Sequence, residues 1–572
     1  MRVGVDQFQG MVPLIDPAAM ASSLAEVAVN AGFRRGRLGG IMFDLTPRED
    51  TWLKANVNGI DVRPRSIHYS HMADAWFQWS SESVFNLVDS PIAPLDEYGR
   101  LFFADETGPR YMTSAQYEID TVNRNRSSYR LGVPVPPRGP TARKISEENP
   151  DDLEDAAITR MAVYYVATLV DDLGQEGAPS LASTDPVRVP TENDFEVEVS
   201  LSLSGLDFNA RPFSSGQAKI RFYRLTSGST AADYQYVGEV DWATSVTFTD
   251  TVPYGEEAEV IPTSDWEPAP EKIRRLEMMD NNYLAGFYES MICYSEVRVP
   301  YAWPTAYRFA LPYQIVTITV CNGGLFIGTT GAPFWATGTD PAAAVPIKLD
   351  YDYPCLNQRG TVVINGVVYY PTHQGLAACD GNKVELVTSN LFSEEQWAAL
   401  DPANIIAWEN DGRYYFWAPG TEELWALEPF VDTSLTLVTT TIGDAMKNVI
   451  SVGRDTRRDK TVLGFVSGTP RLASIEDATT STVRWRSSEV LVASHLSMSA
   501  AMVQSTVWPV TLRVFANRQM VYEKVVTDSG LFRLPPGRYN RWQLELEFTP
   551  VRSADQVQSA VIAQSVGEVL DG

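Results

Sequence analysis

The sequence predicts an all-β protein, because alternating apolar and polar runs recur along the chain while helix signals are few. Residues 196–204 and 219–224 alternate with the period of two that is typical of half-buried strands. Aromatic residues make up 11% of the chain, and many stand in β-type runs such as 367–370 and 414–417. Hydrophobic residues are 44% of 572, so the chain can bury a large core and more than one domain is expected.

Two helices are predicted among these strands. Asp16-Pro17 offers an N-cap followed by proline, which predicts a helix that ends near the glycine at 32. Four apolar residues of that segment share one face: Met20, Leu24, Val27 and Ala28. Residues 393–396 form a capping box in which Phe392 can pack on Trp397, and they predict a second, short helix.

A repeated unit of turn and strand predicts the architecture. Asparagines at 322, 365 and 410 each open a hairpin turn before an apolar strand, with spacings of 43 and 45 residues. Similar turns stand before strands at three more places: 97–99, 281–282 and 458–460. Blades of β-propellers are four-stranded sheets that repeat every ~40–50 residues. Six units therefore predict about six blades, with five or seven blades, or a plain run of hairpins, as the alternatives.

The regions between and after these units complete the predicted domain plan. A proline- and arginine-rich stretch at 133–140 and an acidic run at 147–155 are interpreted as linkers. The strands that follow, roughly 160–252, predict a small sandwich of the immunoglobulin or fibronectin III type. The plan is thus an N-terminal segment with the first blade at 1–120, a linker with the inserted sandwich at 121–275, the remaining blades at 276–489, and a C-terminal β domain at 490–572.

The charge balance bears on possible partners. The chain has 46 Lys and Arg against 72 Asp and Glu, a net charge of −26. This argues against a protein that binds nucleic acid by neutralising phosphates, but not against one that lets nucleic acid slide past. No stretch approaches the ~18 apolar residues of a membrane helix and no signal peptide is visible, so synthesis and folding in the cytosol without membrane insertion are expected.

Residues that could support chemistry are sparse. There is no P-loop, nucleophile elbow or HExxH motif, so the sequence predicts no enzyme and no catalytic, cofactor-binding or metal-ligating residues. His68, His71 and Asp74 have a spacing that could hold a metal on a helix, but the aromatic residues around them favour a strand. Trp76 and Trp79 could stack on sugars, although core packing is the expected role.

The four cysteines are expected to be reduced and buried: Cys293, Cys321, Cys355 and Cys379.

Several segments in collinear order resemble one family of bacteriophage virion proteins. The segments that carry this resemblance are 8–17 with 25–30, 164–180, 265–270, 294–304, 331–335 with 375–376, and 532–537. Together they are similar to the tail nozzle proteins of short-tailed phages, the tail tubular protein B type, whose relatives include phage structural and stabilisation proteins. Tyr301 departs from the pattern, since a histidine is expected there.

The resemblance implies a virion tail protein that forms a homo-hexameric ring below the portal and adaptor. Its expected partners are the adaptor or head-to-tail connector, tail fibre or spike proteins, and genomic DNA that passes through the lumen without specific binding. It implies no catalytic residues. Acidic residues are then expected to concentrate on the lumen, and Arg138, Arg143 and Lys144 are candidates for pairing with acidic neighbours. The alternatives are a receptor- or carbohydrate-binding propeller or depolymerase, and a hub or distal tail protein of a long-tailed phage.

Overall fold

A computed structural model describes most of the chain. The described residues are 1–41, 44–47, 56–57, 60–61, 65–79, 86–119, 128–147, 159–227, 232–429, 434–439, 448–455, 457–458, 460–467, 469–476 and 481–570. Strands account for 50% of the structure and helices for 4%, which confirms the all-β prediction. The chain forms two compact units, one made of residues 1–84, 313–335 and 347–572 and the other of residues 85–312 and 336–346.

The second unit contains two four-stranded antiparallel sheets in which strand order follows sequence order, as in a propeller blade. The first comprises Leu87–Asp89, Leu101–Asp105, Gly108–Met112 and Tyr129–Arg130, and the second comprises Leu276–Met279, Tyr283–Tyr288, Met291–Tyr294 and Arg308–Ala310. Phe102, Tyr111, Leu284 and Trp303 lie in one buried cluster. Short helices stand beside the strands at Ser114–Ile119 and, as a 3-10 turn, at Thr305–Tyr307.

The inserted sandwich of the second unit has two sheets. One contains Thr141–Glu147, Phe195–Ser202 and Ser245–Asp250, and the other contains Val187–Pro190, Arg160–Val170, Lys219–Ser227 and Ala232–Asp241. Val197, Val199 and Leu201 alternate inward and are buried, which confirms the strand predicted from the alternation. Val133, in the predicted proline-rich linker, is buried in the same core, and residues 141–147 form an edge strand. Residues 148–155 of the acidic run lie outside the described residues.

One arginine is buried inside this sandwich. Arg224 Nη1 donates to Asp250 Oδ2 at 2.8 Å and to the Val252 carbonyl at 2.9 Å, and its Nε donates to Glu257 Oε1 at 3.0 Å. The Tyr165 hydroxyl also donates to Asp250, at 2.7 Å. Because a buried guanidinium is tolerated only when it is paired and fully hydrogen-bonded, these contacts fix the segment after Asp250 against the core.

The first unit holds further sheets of the blade type. The hairpin of Ile315–Cys321 and Gly324–Thr329 is followed along the chain by Phe334–Thr337 and Pro346–Lys348. The next sheets are Val362–Ile364, Val367–Pro371, Leu376–Cys379 and Val384–Leu386, then Ile406–Asn410, Arg413–Ala418, Glu423–Glu428 and Ser434–Val438. A last one contains Val449–Asp455, Lys460–Ser467 and Thr469–Glu476, completed by the N-terminal strand Asp44–Pro47. Short hairpins join Asn56–Val57 to Ile60–Asp61 and Ser66–Ser70 to Ala75–Trp79.

The hairpin turns read from the sequence have the backbone that the pattern requires. Asn322, Asn365 and Asp411 have φ of 48°, 48° and 50°, and the glycine after each also has positive φ. Two consecutive left-handed residues define the type I′ turn that matches strand twist. Asn322 Nδ2 also donates to the Gly366 carbonyl at 2.7 Å, so the turn of one sheet is tied to the turn of the next.

The remaining strands of the first unit join its N-terminal residues to its C-terminal residues. One sheet has the order Ala31–Arg34, Arg37–Gly40, Gln556–Ala563, Ala500–Ser505 and Phe532–Arg533, with Arg2–Val5 also paired to Gln556–Ala563. In another, Ala25–Val29 lies between Ser434–Val438 and Val483–Ser487, followed by Tyr539–Phe548, Val510–Ala516 and Gln519–Val526, and Val490–Leu496 pairs with Tyr539–Phe548. A short helix, Val566–Leu570, follows the last strand.

One predicted helix is wrong and the other is confirmed. Residues 17–24 form turns and Ala25–Val29 is a strand, because Ala28 is fully buried between two strands that are distant in sequence, and this pairing overrides the local signal. The helix Glu394–Ala399 begins at the predicted capping box, with both reciprocal bonds between Ser393 and Gln396 present. Phe392 packs on Trp397 with ring centroids 5.9 Å apart.

A row of charged side chains crosses the C-terminal sheet. Glu545 stands directly opposite Arg486 on one side and Arg513 on the other. Its carboxylate accepts from Arg486 at 2.7 Å, Arg513 at 2.9 Å and Arg484 at 3.1 Å, and its side chain is 1% exposed. Burial acts to raise the pKa of Glu545, but the hydrogen bonds from the three arginines outweigh it and hold the pKa below its ordinary value. This row therefore links three strands by charge as well as by backbone pairing.

Replacing Glu545 by glutamine should destabilise the first unit. The change leaves three guanidinium groups without their shared carboxylate, and breaking a buried ion pair typically costs about 3–5 kcal/mol. Glu523→Gln is the matched control, because Glu523 contacts only Arg513 in this row and is 47% exposed. The control should lower the free energy of unfolding by less than about 1 kcal/mol. Urea unfolding measures the free energy of unfolding of both variants. An equal decrease in the two variants would contradict the role assigned to Glu545.

Candidate functional site

The histidine cluster noted in the sequence is not assembled around a common centre. His68 lies on the strand Ser66–Ser70, as the aromatic context predicted. Asp74 instead accepts hydrogen bonds from the Tyr69 hydroxyl and from Arg458 at 2.6 Å, and these two donors hold the pKa of Asp74 below its ordinary value. His71 Nδ1 is 3.8 Å from Asp455 Oδ1. Within the described ranges no three His, Cys, Asp or Glu side chains meet in a metal-binding arrangement.

The tryptophans and cysteines singled out in the sequence belong to the core. Trp76 and Trp79 are both buried, as core packing requires. All four cysteines are free and buried, which confirms the expectation, and burial raises the pKa of Cys355 and Cys379 to about 11. In the part of the chain that the structure describes, no helix is both long and apolar enough to cross a membrane.

The three basic residues near the sandwich have different surroundings. Arg143 Nε donates to Glu198 Oε1 at 2.6 Å across the pair of strands Thr141–Glu147 and Phe195–Ser202, so it already has an acidic neighbour in its own chain. Arg138 is exposed and forms no ion pair with any residue the structure describes. Lys144 is also exposed, on the same edge strand as Arg143.

The second unit contains a buried polar cluster that joins the sandwich to the first blade-type sheet. We call it the polar anchor and define it as Asp96, Arg100, Tyr111, Asp171 and Gln175. Arg100 donates to Asp96 Oδ2 at 2.8 Å and to Gln175 Oε1 at 3.1 Å. Gln175 Nε2 donates to Asp171 Oδ2 at 2.7 Å and to the Tyr111 hydroxyl at 3.2 Å. Every one of the five residues is buried, and a buried polar network of this kind stabilises one fixed arrangement when its members are satisfied.

Local sequence positions each member of the polar anchor. Asp96 and Arg100 lie in the connection before the strand Leu101–Asp105, and Asp96 also accepts from the Ser90 hydroxyl at 2.5 Å. Asp171 begins the turn after the strand Arg160–Val170. Its Oδ1 accepts the backbone N–H groups of Leu173 and Gln175, both at 2.9 Å, as in an Asx turn. The turn therefore orients Gln175 toward Arg100.

The same place brings together three segments that are far apart in the sequence. Glu176, next to Gln175, accepts from Thr168 and Tyr223 at 2.6 Å each and from Arg221 at 2.7 Å. Tyr301 is half-buried beside it. Burial raises the pKa of Tyr301 to about 12, Asp171 adds to the effect, and Arg100 opposes it. The ring of Trp266 meets that of Tyr301 edge-on, with centroids 5.8 Å apart. Segments 164–180, 265–270 and 294–304 thus converge on the polar anchor.

Burial gives Asp171 an unusual ionisation. Desolvation raises its pKa to about 6, although the hydrogen bonds from Gln175 and Leu173 and the charge of Arg100 act in the opposite direction. The other polar atoms of the anchor are engaged with one another. The arrangement can therefore hold two modules in a fixed relation, and its tightness depends on the protonation of one carboxyl group.

The distribution of charge is uneven along the sequence. Residues 141–260 contain 22 Asp and Glu against 8 Lys and Arg, so a net charge of −14 out of −26 belongs to this segment. On the described surface of the sandwich, exposed carboxylates without an ion-pair partner include Asp185, Glu192, Asp194, Glu196, Asp233, Glu256 and Glu259. Just over half of the net negative charge of the chain therefore lies in the segment that contains the sandwich.

Sequence reasoning did not find the polar anchor. Its residues come from positions 96–111 and 171–175, and nothing local to either stretch indicates the other. One signal was present, since residues 164–180 carried part of the family resemblance. That segment contains Asp171, Gln175 and Glu176, which are polar residues at the end of an apolar strand.

Comparisons with known proteins give only remote neighbours. No protein-family model matches the chain. No curated protein gives a significant match. Solved structures similar to it include virginiamycin B lyase of Staphylococcus aureus, with 8% identity, a TM-score of 0.24, and coverage of 61% of this chain and 96% of that one. An aldose sugar dehydrogenase of Streptomyces coelicolor has 10% identity, a TM-score of 0.23, and coverage of 60% and 99%. PorZ of Porphyromonas gingivalis has 9% identity, a TM-score of 0.26, and coverage of 76% and 64%.

These neighbours correct one prediction. The sequence predicted that the chain is not an enzyme, and this is contradicted because the lyase and the dehydrogenase among the neighbours are enzymes. Missing sequence motifs therefore do not exclude catalysis for this chain. At these TM-scores the neighbours assign no activity, substrate or cofactor to it.

The ionisation of Asp171 predicts a pH dependence of stability. Its pKa is about 6 in the folded chain against an ordinary value of 3.8, so the folded state binds the proton more tightly. The contribution of this group is complete below pH 3.8 and is lost as the pH rises through about 6. The loss amounts to about 3 kcal/mol. Asp171→Asn cannot ionise, so its free energy of unfolding should improve relative to the natural chain by about 2 kcal/mol between pH 4 and 7.

Thermal and urea unfolding of the intact chain at several pH values measure this difference. Asp172→Asn is the matched control, because the neighbouring Asp172 is half-buried and accepts from the Ser214 backbone N–H at 2.8 Å. The control removes a carboxylate that is not part of the polar anchor, so it should not reproduce the gain that Asp171→Asn shows between pH 4 and 7. A difference between Asp171→Asn and the natural chain that does not change with pH would contradict the buried ionisation.

Proposed function

We propose that this chain is a structural virion protein of the tail-nozzle type, which assembles as a homo-hexameric ring and forms part of the conduit for DNA ejection. The observation that carries the proposal is the convergence of residues 164–180, 265–270 and 294–304 on the polar anchor. The resemblance of these segments to the nozzle family lies in their sequence alone. A chance resemblance gives no reason for three segments spread over some 140 residues to meet around one buried cluster.

The N-terminal segment of the resemblance supports the proposal in the same way. Phe8 is fully buried and packs edge-on against Trp485 with centroids 4.9 Å apart, and Trp485 Nε1 donates to the Gln9 carbonyl at 2.9 Å. A side chain at Gly10 would come within 2.4 Å of the Leu435 carbonyl. The residues that resemble the family thus stand where packing demands them.

The architecture that we propose is a propeller of six blades. Five stretches of four strands and one of three strands, all in meander order, succeed one another along the chain, and they correspond to the six turn-and-strand units of the sequence. The last is completed by Asp44–Pro47, a strand from the N-terminal part of the chain. Such closure by a distant strand is a common way to join the ends of a repeated sheet array, because it leaves no unpaired edge between them.

The carboxylates of the sandwich would keep DNA from adhering to the wall of the conduit. Phosphate groups are repelled by carboxylates over a screening length of ~8 Å at physiological salt. A wall that carries part of the net charge of −14 found at residues 141–260 would let DNA pass without adsorbing it. The partners in this proposal are other copies of the chain, the head-to-tail connector, tail fibre or spike proteins, and the DNA in transit. The location is the virion tail.

Sedimentation of the purified chain tests the proposal. The expected result is a species with six times the mass of the chain, formed alone or on addition of the connector protein of the same phage. A concentration series separates a closed ring from open-ended growth, because a ring stops at one mass. A chain that stays monomeric in both conditions would contradict the proposed function.

A further inference from the structure

One exposed basic feature stands out in this acidic chain. It is the hairpin of Ala31–Arg34 and Arg37–Gly40, in which Phe33 and Leu38 face the core and Arg34 stands opposite Arg37. Like charges directly opposite each other on neighbouring strands are unfavourable. Arg34, Arg35 and Arg37 are all exposed, so three guanidinium groups crowd one hairpin tip. We call these three residues with Gly36 the arginine tip.

The backbone of the arginine tip adds to this cost. Arg35 and Gly36 have φ of 54° and 72°, which is the type I′ turn, and its first position favours asparagine, aspartate or glycine. An arginine in the left-handed region is less stable than these residues by about 1 kcal/mol. Because Arg35 is strained and also carries an unfavourable charge, it does not serve to stabilise the fold, and a functional role is indicated.

The charges of the arginine tip are only partly compensated. Arg34 is 3.1 Å from Asp411 Oδ2, but that carboxylate also binds Arg413 at 2.8 Å. Across the described residues, neither Arg35 nor Arg37 has an ion-pair partner. Arg35 also lines two adjoining cavities of about 570 and 230 Å³, which give an incoming group room beside the guanidinium.

The chain itself offers the opposite charge. Glu192, Asp194 and Glu196 are exposed at the start of the sandwich strand Phe195–Ser202, and none of them has an ion-pair partner among the residues the structure describes. We call these three residues the acidic turn. It lies within five residues of sequence, so its carboxylates are close enough together to face two or three guanidinium groups at once. Beyond it, Glu198 is already occupied by Arg143.

Resting on the proposed ring, we propose that the arginine tip of one copy docks on the acidic turn of the next copy. Complementary charge is the argument: the two surfaces have opposite sign, and Arg35, Arg37 and the carboxylates of the acidic turn have no ion-pair partner among the described residues. Contacts of this kind fix register and orientation between partners. Because tip and turn are different surfaces, the contact is head-to-tail, and head-to-tail contacts close into rings when the rotation allows it. A DNA phosphate is a weaker candidate for the tip, since the chain as a whole carries −26.

Charge reversal tests the contact. The tip variant carries Arg35→Glu and Arg37→Glu, and the turn variant carries Asp194→Arg and Glu196→Arg. Each variant alone places like charges across every contact, so each should need at least about tenfold more protein to assemble. Glu256→Arg with Glu259→Arg is the matched control, because it reverses two exposed and unpaired carboxylates elsewhere on the sandwich, and it should assemble as the natural chain does. Unfolding midpoints establish that all variants fold.

Mixing the tip variant with the turn variant gives the most specific test of the contact. In an equimolar mixture, the reversed tip meets the reversed turn at one contact and the natural tip meets the natural turn at the next. A ring with an even number of copies is therefore restored, with the two variants alternating, and sedimentation should recover the natural mass. A single chain with both reversals should also assemble.

The results that would overturn this contact differ from those that would overturn the proposed function. A natural chain that never assembles contradicts both. A natural chain that assembles while the tip and turn variants assemble equally well contradicts only the contact. If the tip variant assembles normally but loses binding of a duplex DNA oligonucleotide that the natural chain retains, the tip faces DNA and the contact between copies is refuted.

Discussion

The first unit depends on the backbone pairing of residues 2–47 with strands that come after residue 434. Arg2–Val5 pairs with Gln556–Ala563, and Asp44–Pro47 supplies the fourth strand of the sheet formed by residues 449–476. Ala25–Val29 lies between Ser434–Val438 and Val483–Ser487. Each of these strands would otherwise leave an unpaired edge, and edges of this kind promote aggregation. The position of the arginine tip follows from this pairing, because Arg37–Gly40 pairs with Gln556–Ala563.

In the second unit, buried polar groups hold the parts of the fold together. The inserted sandwich has its own apolar core, and Arg224 ties the segment after Asp250 to it. The polar anchor then fixes the sandwich to the first blade-type sheet through Arg100 and Gln175. A hydrophobic contact would tolerate sliding, whereas hydrogen bonds with defined donors and acceptors specify one geometry.

The sequence could predict features that depend on neighbouring residues, and it missed features that depend on residues far apart in the chain. The turns at 322, 365 and 411 were readable because two left-handed residues are needed and asparagine, aspartate and glycine supply them. The helix at Glu394–Ala399 was readable because its capping box lies within four residues. The segment at 17–31 was misread as a helix, since the strands that make Ala25–Val29 extended lie more than 400 residues away. The polar anchor was missed for the same reason, because its residues at 96–111 and 171–175 carry no mark of each other in the nearby sequence.

The central claim is that this chain forms a ring through which DNA passes. Cryo-electron microscopy of the purified protein, alone and bound to the connector of the same phage, tests it most directly. The account predicts end-on views with sixfold symmetry around an opening wider than the ~20 Å of duplex DNA, with acidic residues of the segment 141–260 on the wall of that opening. Isolated single copies, or a ring whose wall is basic or whose opening is too narrow for a duplex, would contradict it.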